Sequence, residues 1–421
     1  MRRRSFLQIA LASVAQAALP EPALGTIAFV QKDGLWMRDL PVGKPLRLLA
    51  ATDLTAPRIS PSGRWISYFQ NGAVLVIAAS GGKPVAVGKA VRGPQTPGCQ
   101  WLRDHDELWL DAGDSLNCFT PANRWLGPSR QIAHASLPAL VDAGATEIVY
   151  GDAVTRARGG EPTRMGRLNR LVPGTTGAPH ILFSKYRDRP IPCAWSASGE
   201  HLLFWLDPDF SASLMADGLD LYRITDTGGT PSAVDLTSLV YEDVRSLSPD
   251  GMRLAISAGA GRNTWYGKRI ATLEIDSGEF HYVTTDGFSA LAPTWSPDGQ
   301  RVAYSAAPAP ADARHVGGGE AARLLMAERR IWIAGQENRP FTTDLHYRDE
   351  KPLWSADGSH LLFGRIDATG DRTLWLTAVD NPSPEMVAGP LAIPGEQPGD
   401  AWFGYYGYID WGAMFDWHRS V

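Results

Sequence analysis

Four short stretches of the chain set an aromatic ring beside charged groups: Tyr186-Arg187-Asp188, Tyr241-Glu242-Asp243, Tyr347-Arg348-Asp349-Glu350 and Tyr408-Ile409-Asp410. Tyrosine offers a ring face and a hydroxyl, arginine a two-pronged donor, and aspartate an acceptor. Gathered at one mouth, such residues would grip a polar ligand or a peptide end by charge-assisted hydrogen bonds and aromatic contact. The candidate ligand contacts are therefore Tyr186, Arg187, Asp188, Tyr241, Asp243, Tyr347, Arg348 and Asp349. The same residue types also serve structure, with each aspartate capping a turn and each tyrosine packing on a neighbouring sheet. The sequence leaves both roles open.

Bond-breaking chemistry has less to work with. No Gly-x-Ser-x-Gly elbow occurs, so a serine-hydrolase nucleophile is not expected. The nine histidines form no close pair in sequence, although His315 and His346 could approach in space. Asp207-Pro208-Asp209 and Asp367-Ala368-Thr369-Gly370-Asp371 are acidic but lack calcium-loop spacing. Gly317-Gly318-Gly319 is not a phosphate-binding fingerprint, because no strand-turn-helix unit surrounds it. The three cysteines, Cys99, Cys118 and Cys193, match no zinc or redox spacing. Export would permit one disulfide pair among them, but buried free thiols are the expectation. No catalytic residue, metal site or cofactor is expected.

Each Tyr-x-Asp stretch lies just ahead of a recurring hairpin or in the last strand. The clearest hairpin is Trp295-Ser296-Pro297-Asp298-Gly299, followed by Arg301-Val302-Ala303-Tyr304. Proline pre-sets the first turn residue, aspartate closes the turn with its side chain, and glycine takes the positive φ. Graded copies begin at Ile59, Trp101, Val141, Trp195, Leu247 and Trp354, forty to sixty residues apart. A third strand follows each, often with an aliphatic-aromatic pair such as Leu221-Tyr222, Ile331-Trp332 or Leu374-Trp375, and usually a fourth after a turn such as Gly228-Gly229. Four antiparallel strands per repeat is the unit of a β-propeller blade. Residues 26–50 supply three strands without a first one, and Tyr408-Ile409-Asp410-Trp411 supplies one to spare. Pairing these would close the ring and remove free sheet edges. Eight blades are expected, or seven if the copies at Trp101 or Val141 are not blades.

This repeat resembles the TolB-type propeller repeat, a WD-like repeat of bacterial envelope proteins, over nearly all of residues 26–411. The resemblance implies an all-β propeller fold. It transfers no functional residues, since the repeat residues of that family are structural. TolB carries an α/β domain ahead of its propeller, whereas strands begin here almost at once, so a stand-alone propeller over residues 25–421 is expected. The long second-third loops fall at 151–164, 206–218, 258–267 and 306–328, all on one face. The last of these holds a glycine hinge and a short helix, Glu320 to Ala327, that could act as a lid or be a variable surface insertion. Trp417, placed beyond the expected closing strand, is a candidate for contact with another molecule.

Residues 1–24 read as a signal peptide and short linker, with a basic start, a short apolar stretch and an Ala-x-Ala site. Arg3-Arg4-Ser5-Phe6-Leu7 also resembles the twin-arginine export motif, with ordinary Sec export as the alternative. Cleavage near Ala17 would remove three arginines and take the charge from −5 to −8. That balance gives no basic footprint for nucleic acid, and no stretch beyond the N-terminus is apolar enough to anchor the chain. The location expected is periplasmic or extracellular. The function expected is a non-catalytic binding or scaffold propeller recognising an envelope protein, peptide or glycan at the channel mouth. The alternative is a glycan-directed lyase or hydrolase at the same mouth.

Overall fold

A computed structural model of the protein describes residues 23–419 apart from 91, 94–96, 103–104, 142–146, 159–160, 173–177, 336–338 and 394–401. The expected signal peptide, twin-arginine motif and the turn after Val141 lie outside the described residues.

The hairpin turns form as their residue types dictate. In the copy at Trp295, Ser296 Oγ bonds Asp298, and the Asp298 carboxylate accepts from Gln300 N at 3.0 Å. Ser296 Oγ also accepts from Arg301 N at 2.9 Å, and Gly299 sits at φ +68°. The same bonds recur at Ser248/Asp250 and Ser355/Asp357. Successive turns nest. A Cβ added at Gly251 would meet Ala197 at 2.8 Å, and one at Gly358 would come within 3.2 Å of Pro297. The arginine that opens one second strand stacks on the tryptophan of the next turn: Arg253 lies 4.5 Å over Trp295, and Arg301 lies 4.7 Å over Trp354. A cation over an indole face adds a directional contact to the apolar burial.

These hairpins build a mainly β chain of antiparallel sheets. Residues 54–89, 99–133, 135–186, 189–238, 245–282 and 348–391 each supply four strands, and 288–333 supplies three. Sheets 189–238 and 245–282 touch through one pair, Ser238 and Ala258. The regions around Trp101 and Val141, whose turn signals are weak, both form four-stranded sheets. Of the stretch 151–164, expected as a loop, residues 151–158 and 161–164 are strand: Ile148–Arg158 pairs with Glu161–Leu171 along its whole length. The expected short helix is present as Gly319–Ala327, and a second helix spans Ala212–Asp217.

The first sheet orders Leu46–Ala50, Gly34–Leu40, Gly25–Gln31 and, from the other end of the chain, Phe415–His418. The C-terminal partner of the first strand is thus not Tyr408 to Trp411. Thr26 to Phe29 pair with His418 to Phe415, while Tyr408 makes only an isolated bridge to Tyr405 and Trp411–Ala413 is a single 3-10 turn. The reason lies in alternation. Phe415 and Trp417 are buried on one side while Asp416 and His418 remain partly open, as a half-buried strand requires. Trp417 is therefore a packed core residue rather than an outward contact. Apolar clusters lie between consecutive sheets, and the largest joins strands of 348–391 to those of 25–50 and 54–89.

A second repeated device shapes the innermost strands. The register shifts between Thr55 and Arg58, Leu291 and Thr294, and Glu350 and Leu353. Each shift contains a residue at positive φ followed by proline: Ala56-Pro57, Ala292-Pro293 and Lys351-Pro352. Proline cannot donate to the ladder, so a bulge is where a strand tolerates it. The bulge bends the strand and re-aims the residues that follow.

Candidate ligand site on the central axis

Arg58 follows one such bulge, and its Nη2 lies 2.9 Å from the Glu242 carboxylate, 184 residues away. Their sheets are not neighbours in sequence, so the two side chains meet across a shared axis. Beside them is a cavity of about 360 Å³. Its walls come from Arg58 and Ile59, from Cys99 to Trp101, from Pro138 to Leu140, and from Val240 to Glu242 with Arg245. Arg92 and Asp410 complete the charged lining and pair at 2.7 Å. Arg58, Ile59, Ala139 and Leu140 lie in the last half of an innermost strand. A second cavity of about 240 Å³ shares Arg58, Glu242 and Asp410 and adds Lys351, Leu353, Asp416 and Trp417.

The Arg58 guanidinium beside it holds the Glu242 carboxyl down at about 2, against the pull of partial burial. Burial alone would favour neutral Arg58, but Glu242, Asp416 and Asp410 together push its pKa up. Both groups therefore stay charged at neutral pH. Arg58 is fixed further by donating to the Gly412 carbonyl. Gln100 spends its amide on the backbone of Ala139 in both directions, at 2.9 and 3.3 Å, so it shapes the wall and offers little to a ligand. Arg245 is different. Its guanidinium carbon lies 5.0 Å over the buried Trp205 ring, and it belongs to no ion pair among the described residues.

The expected ring of Tyr-x-Asp residues is only partly assembled, and a segment of the chain itself occupies it. Residues 402–414 form a strap that leads into the strand Phe415–His418. Arg348 is 1% exposed; it donates to the carbonyls of Trp402 at 2.9 Å and Gly407 at 2.7 Å. Arg329 donates to Gly407 as well, and both arginines hold Glu350. Burial works against ionisation of Glu350, but these two cations outweigh it and its pKa falls below the usual carboxylate value. Glu350 also accepts from Trp411 Nε1 at 3.0 Å. Tyr241 stacks on Tyr408 with ring centres 4.0 Å apart, and Tyr408 donates its hydroxyl to Asp243 at 2.7 Å. Burial raises the Asp243 pKa despite Lys351 nearby.

Tyr241, Asp243 and Arg348 therefore meet around the strap. Asp349 faces away from it, is fully buried and accepts from Arg365 Nε at 2.8 Å, with Arg365 lying 4.8 Å over the Tyr347 ring. Arg187 bonds Asp209, Asp188 bonds Lys185 at 2.7 Å, and Tyr186 is 38% exposed at the end of its strand. The expected histidine pair is not drawn together by its bonds: His315 contacts Arg314 and His346 contacts Asp344. The helix Gly319–Ala327 is no loose insertion, since Ala322 and Met326 are buried in the same cluster as Trp402 and Trp411.

Sequence reading missed Arg58, Arg92, Gln100 and Arg245 as cavity residues, while Asp410 stood in one of the four Tyr-x-Asp stretches but not among the candidate contacts. One signal was available. The proline three residues before the turn serine recurs at Pro57, Pro293 and Pro352, and it marks where each innermost strand bulges.

No protein-family profile matches the chain, and no curated protein matches it. Solved structures do. A eukaryotic initiation factor superposes with a TM-score of 0.53 at 14% identity, over 88% of this chain and 89% of that one. The dihydro-heme d1 dehydrogenase NirN, in complex with DHE, gives 0.52 at 15% identity, over 87% and 72%. The chain has a β-propeller fold. A putative TolB from Agrobacterium tumefaciens aligns over 86% of both chains at 15% identity, but its TM-score of 0.36 is too low to argue from. At these identities the likeness speaks for the fold alone. Among the described residues no helix is long and apolar enough to cross a membrane.

Proposed function

We propose that this protein is an exported binding propeller of eight blades, of TolB type, that holds its ligand in the cavity on the propeller axis rather than at the strap-filled mouth. The eight-blade reading rests on the order of the sheets and on Phe415–His418 lying beside Gly25–Gln31, which joins the last segment to the first blade. Export to the periplasm or beyond rests on the basic-apolar N-terminus. The observation that carries the binding reading is the cavity of about 360 Å³ with three arginines in its wall. Its size falls at the lower end of small-ligand pockets, roughly 300–1,000 Å³. Arg58, Arg92, Glu242 and Asp410 are fixed by ion pairs and Arg245 by stacking on Trp205, so the site is preorganised. The ligand class at this level is a polar piece of an envelope glycan, peptide or protein.

The test is a thermal-shift and calorimetry panel of neutral and acidic oligosaccharides and short peptides against the purified protein. Leu140→Trp, which fills the cavity from a half-buried wall position, is run alongside. At least one compound should stabilise the parent protein and not the variant. Equal stabilisation of both, or of neither, would remove the cavity as the binding site.

A further inference from the structure

We infer that Arg245 anchors a single carboxylate, and that the ligand of the axial cavity is a small organic monocarboxylate with an apolar or ring-shaped body. The inference rests on the proposal that the axial cavity is the binding site. The charged lining consists of Arg58, Arg92 and Arg245 against Glu242 and Asp410, which leaves one positive charge. Arg58 is matched by Glu242 at 2.9 Å and Arg92 by Asp410 at 2.7 Å. Arg245 supplies the remaining charge, and its contacts within the described fold are the face of Trp205 and the buried Cys193 thiol, neither of which is a counter-charge. Stacking on an indole orients the guanidinium plane, and the N–H groups not turned to Cys193 are left to form paired bonds with a carboxylate.

The neighbouring wall sets the rest of the ligand. Ile59, Trp101, Pro138, Leu140 and Val240 present apolar surface, and Tyr241 adds a ring. A second negative charge on the ligand would have to displace Glu242 from Arg58 or Asp410 from Arg92. Glu242 is held ionised by that same arginine, so displacement gives up the attraction between them and leaves the largely buried Arg58 to the new charge. A neutral ligand would leave Arg245 without a counter-charge in a partly enclosed space. The lining is thus matched to one negative charge. A sugar acid and a peptide C-terminus share this chemistry.

The experiment uses calorimetry on the purified protein with four probes: glucuronate, glucuronamide, N-acetyl-alanyl-alanine and its C-terminal amide. Either or both acids should bind, each about tenfold or more tightly than its amide, as expected for a charged hydrogen-bonded pair. Which acid binds distinguishes a sugar source from a peptide source. Arg245→Gln should erase the acid–amide difference, and Arg245→Lys should restore part of it. If Arg245→Gln does not fold, the acid–amide comparison on the parent protein and the Lys variant still decide. Equal binding of acid and amide, unchanged acid binding in Arg245→Gln, or no binding of either acid at millimolar concentration overturns the inference. Neutral binding that Leu140→Trp abolishes would overturn the carboxylate class alone and leave the cavity as the site. Binding that survives Leu140→Trp would overturn both.

Discussion

Arg348→Ala separates a ligand-contact role for the Tyr-x-Asp residues from a structural one. Arg348 makes three bonds from a buried position: to Glu350 at 2.7 Å, to the Trp402 carbonyl at 2.9 Å and to the Gly407 carbonyl at 2.7 Å. Removing one member of a buried ion pair costs about 3–5 kcal/mol. Two of the three acceptors keep a partner, because Arg329 still reaches Glu350 and Gly407, and Trp411 still donates to Glu350. The expected loss is therefore at the lower end, about 3 kcal/mol. Arg348→Lys should recover little of it, since one ammonium cannot span a carboxylate and two carbonyls. The assay is the shift of the urea midpoint, with hydrogen exchange of residues 402–414 as a local readout. The strap should exchange faster in both variants. A loss under about 1 kcal/mol, the range of exposed ion pairs, with unchanged strap exchange and weakened ligand binding, would refute the structural reading.

Two further outcomes are expected. Cys99, Cys118 and Cys193 are free and buried, and burial pushes each thiol up to about 11. At pH 8 a thiol reagent should titrate none of them in the folded protein and all of them in denaturant; fast labelling of the native state would contradict this burial. Replacing Arg3 and Arg4 by lysine should strand the precursor in the cytoplasm if export uses the twin-arginine route. Unchanged export in a fractionation blot would assign the chain to the Sec route.

Much of the fold was legible because its decisive contacts are local. The Ser296–Asp298–Gly299 turn and its copies bond within five residues, so residue types alone specify where each hairpin reverses. Alternation then assigns the strands, and repetition assigns the propeller. Even so, local signals misled at the C-terminus. Tyr408-Ile409-Asp410-Trp411 is apolar enough to read as a strand, but it lacks the alternation of Phe415-Asp416-Trp417-His418, and only the second lies beside Thr26 to Phe29. The buried Glu350, Arg329 and Arg348 cluster also claims Trp411 and the carbonyl of Gly407 before that strand begins.

The candidate site was almost wholly a product of tertiary structure. The Tyr-x-Asp stretches were visible, but whether they face solvent depended on residues 402–414 lying over them, and those residues are distant in sequence. Arg58 meets Glu242 across 184 positions, and Arg92 meets Asp410 from the other end of the chain. A repeat specifies its own blade and its contact with the next. It carries no information about which side chain of a distant blade stands opposite on the axis, because that pairing depends on the number of blades, their twist and the register of the closing strand together. The sequence alone therefore determined the sheets and their turns, and the meeting of side chains from distant sheets determined the cavity.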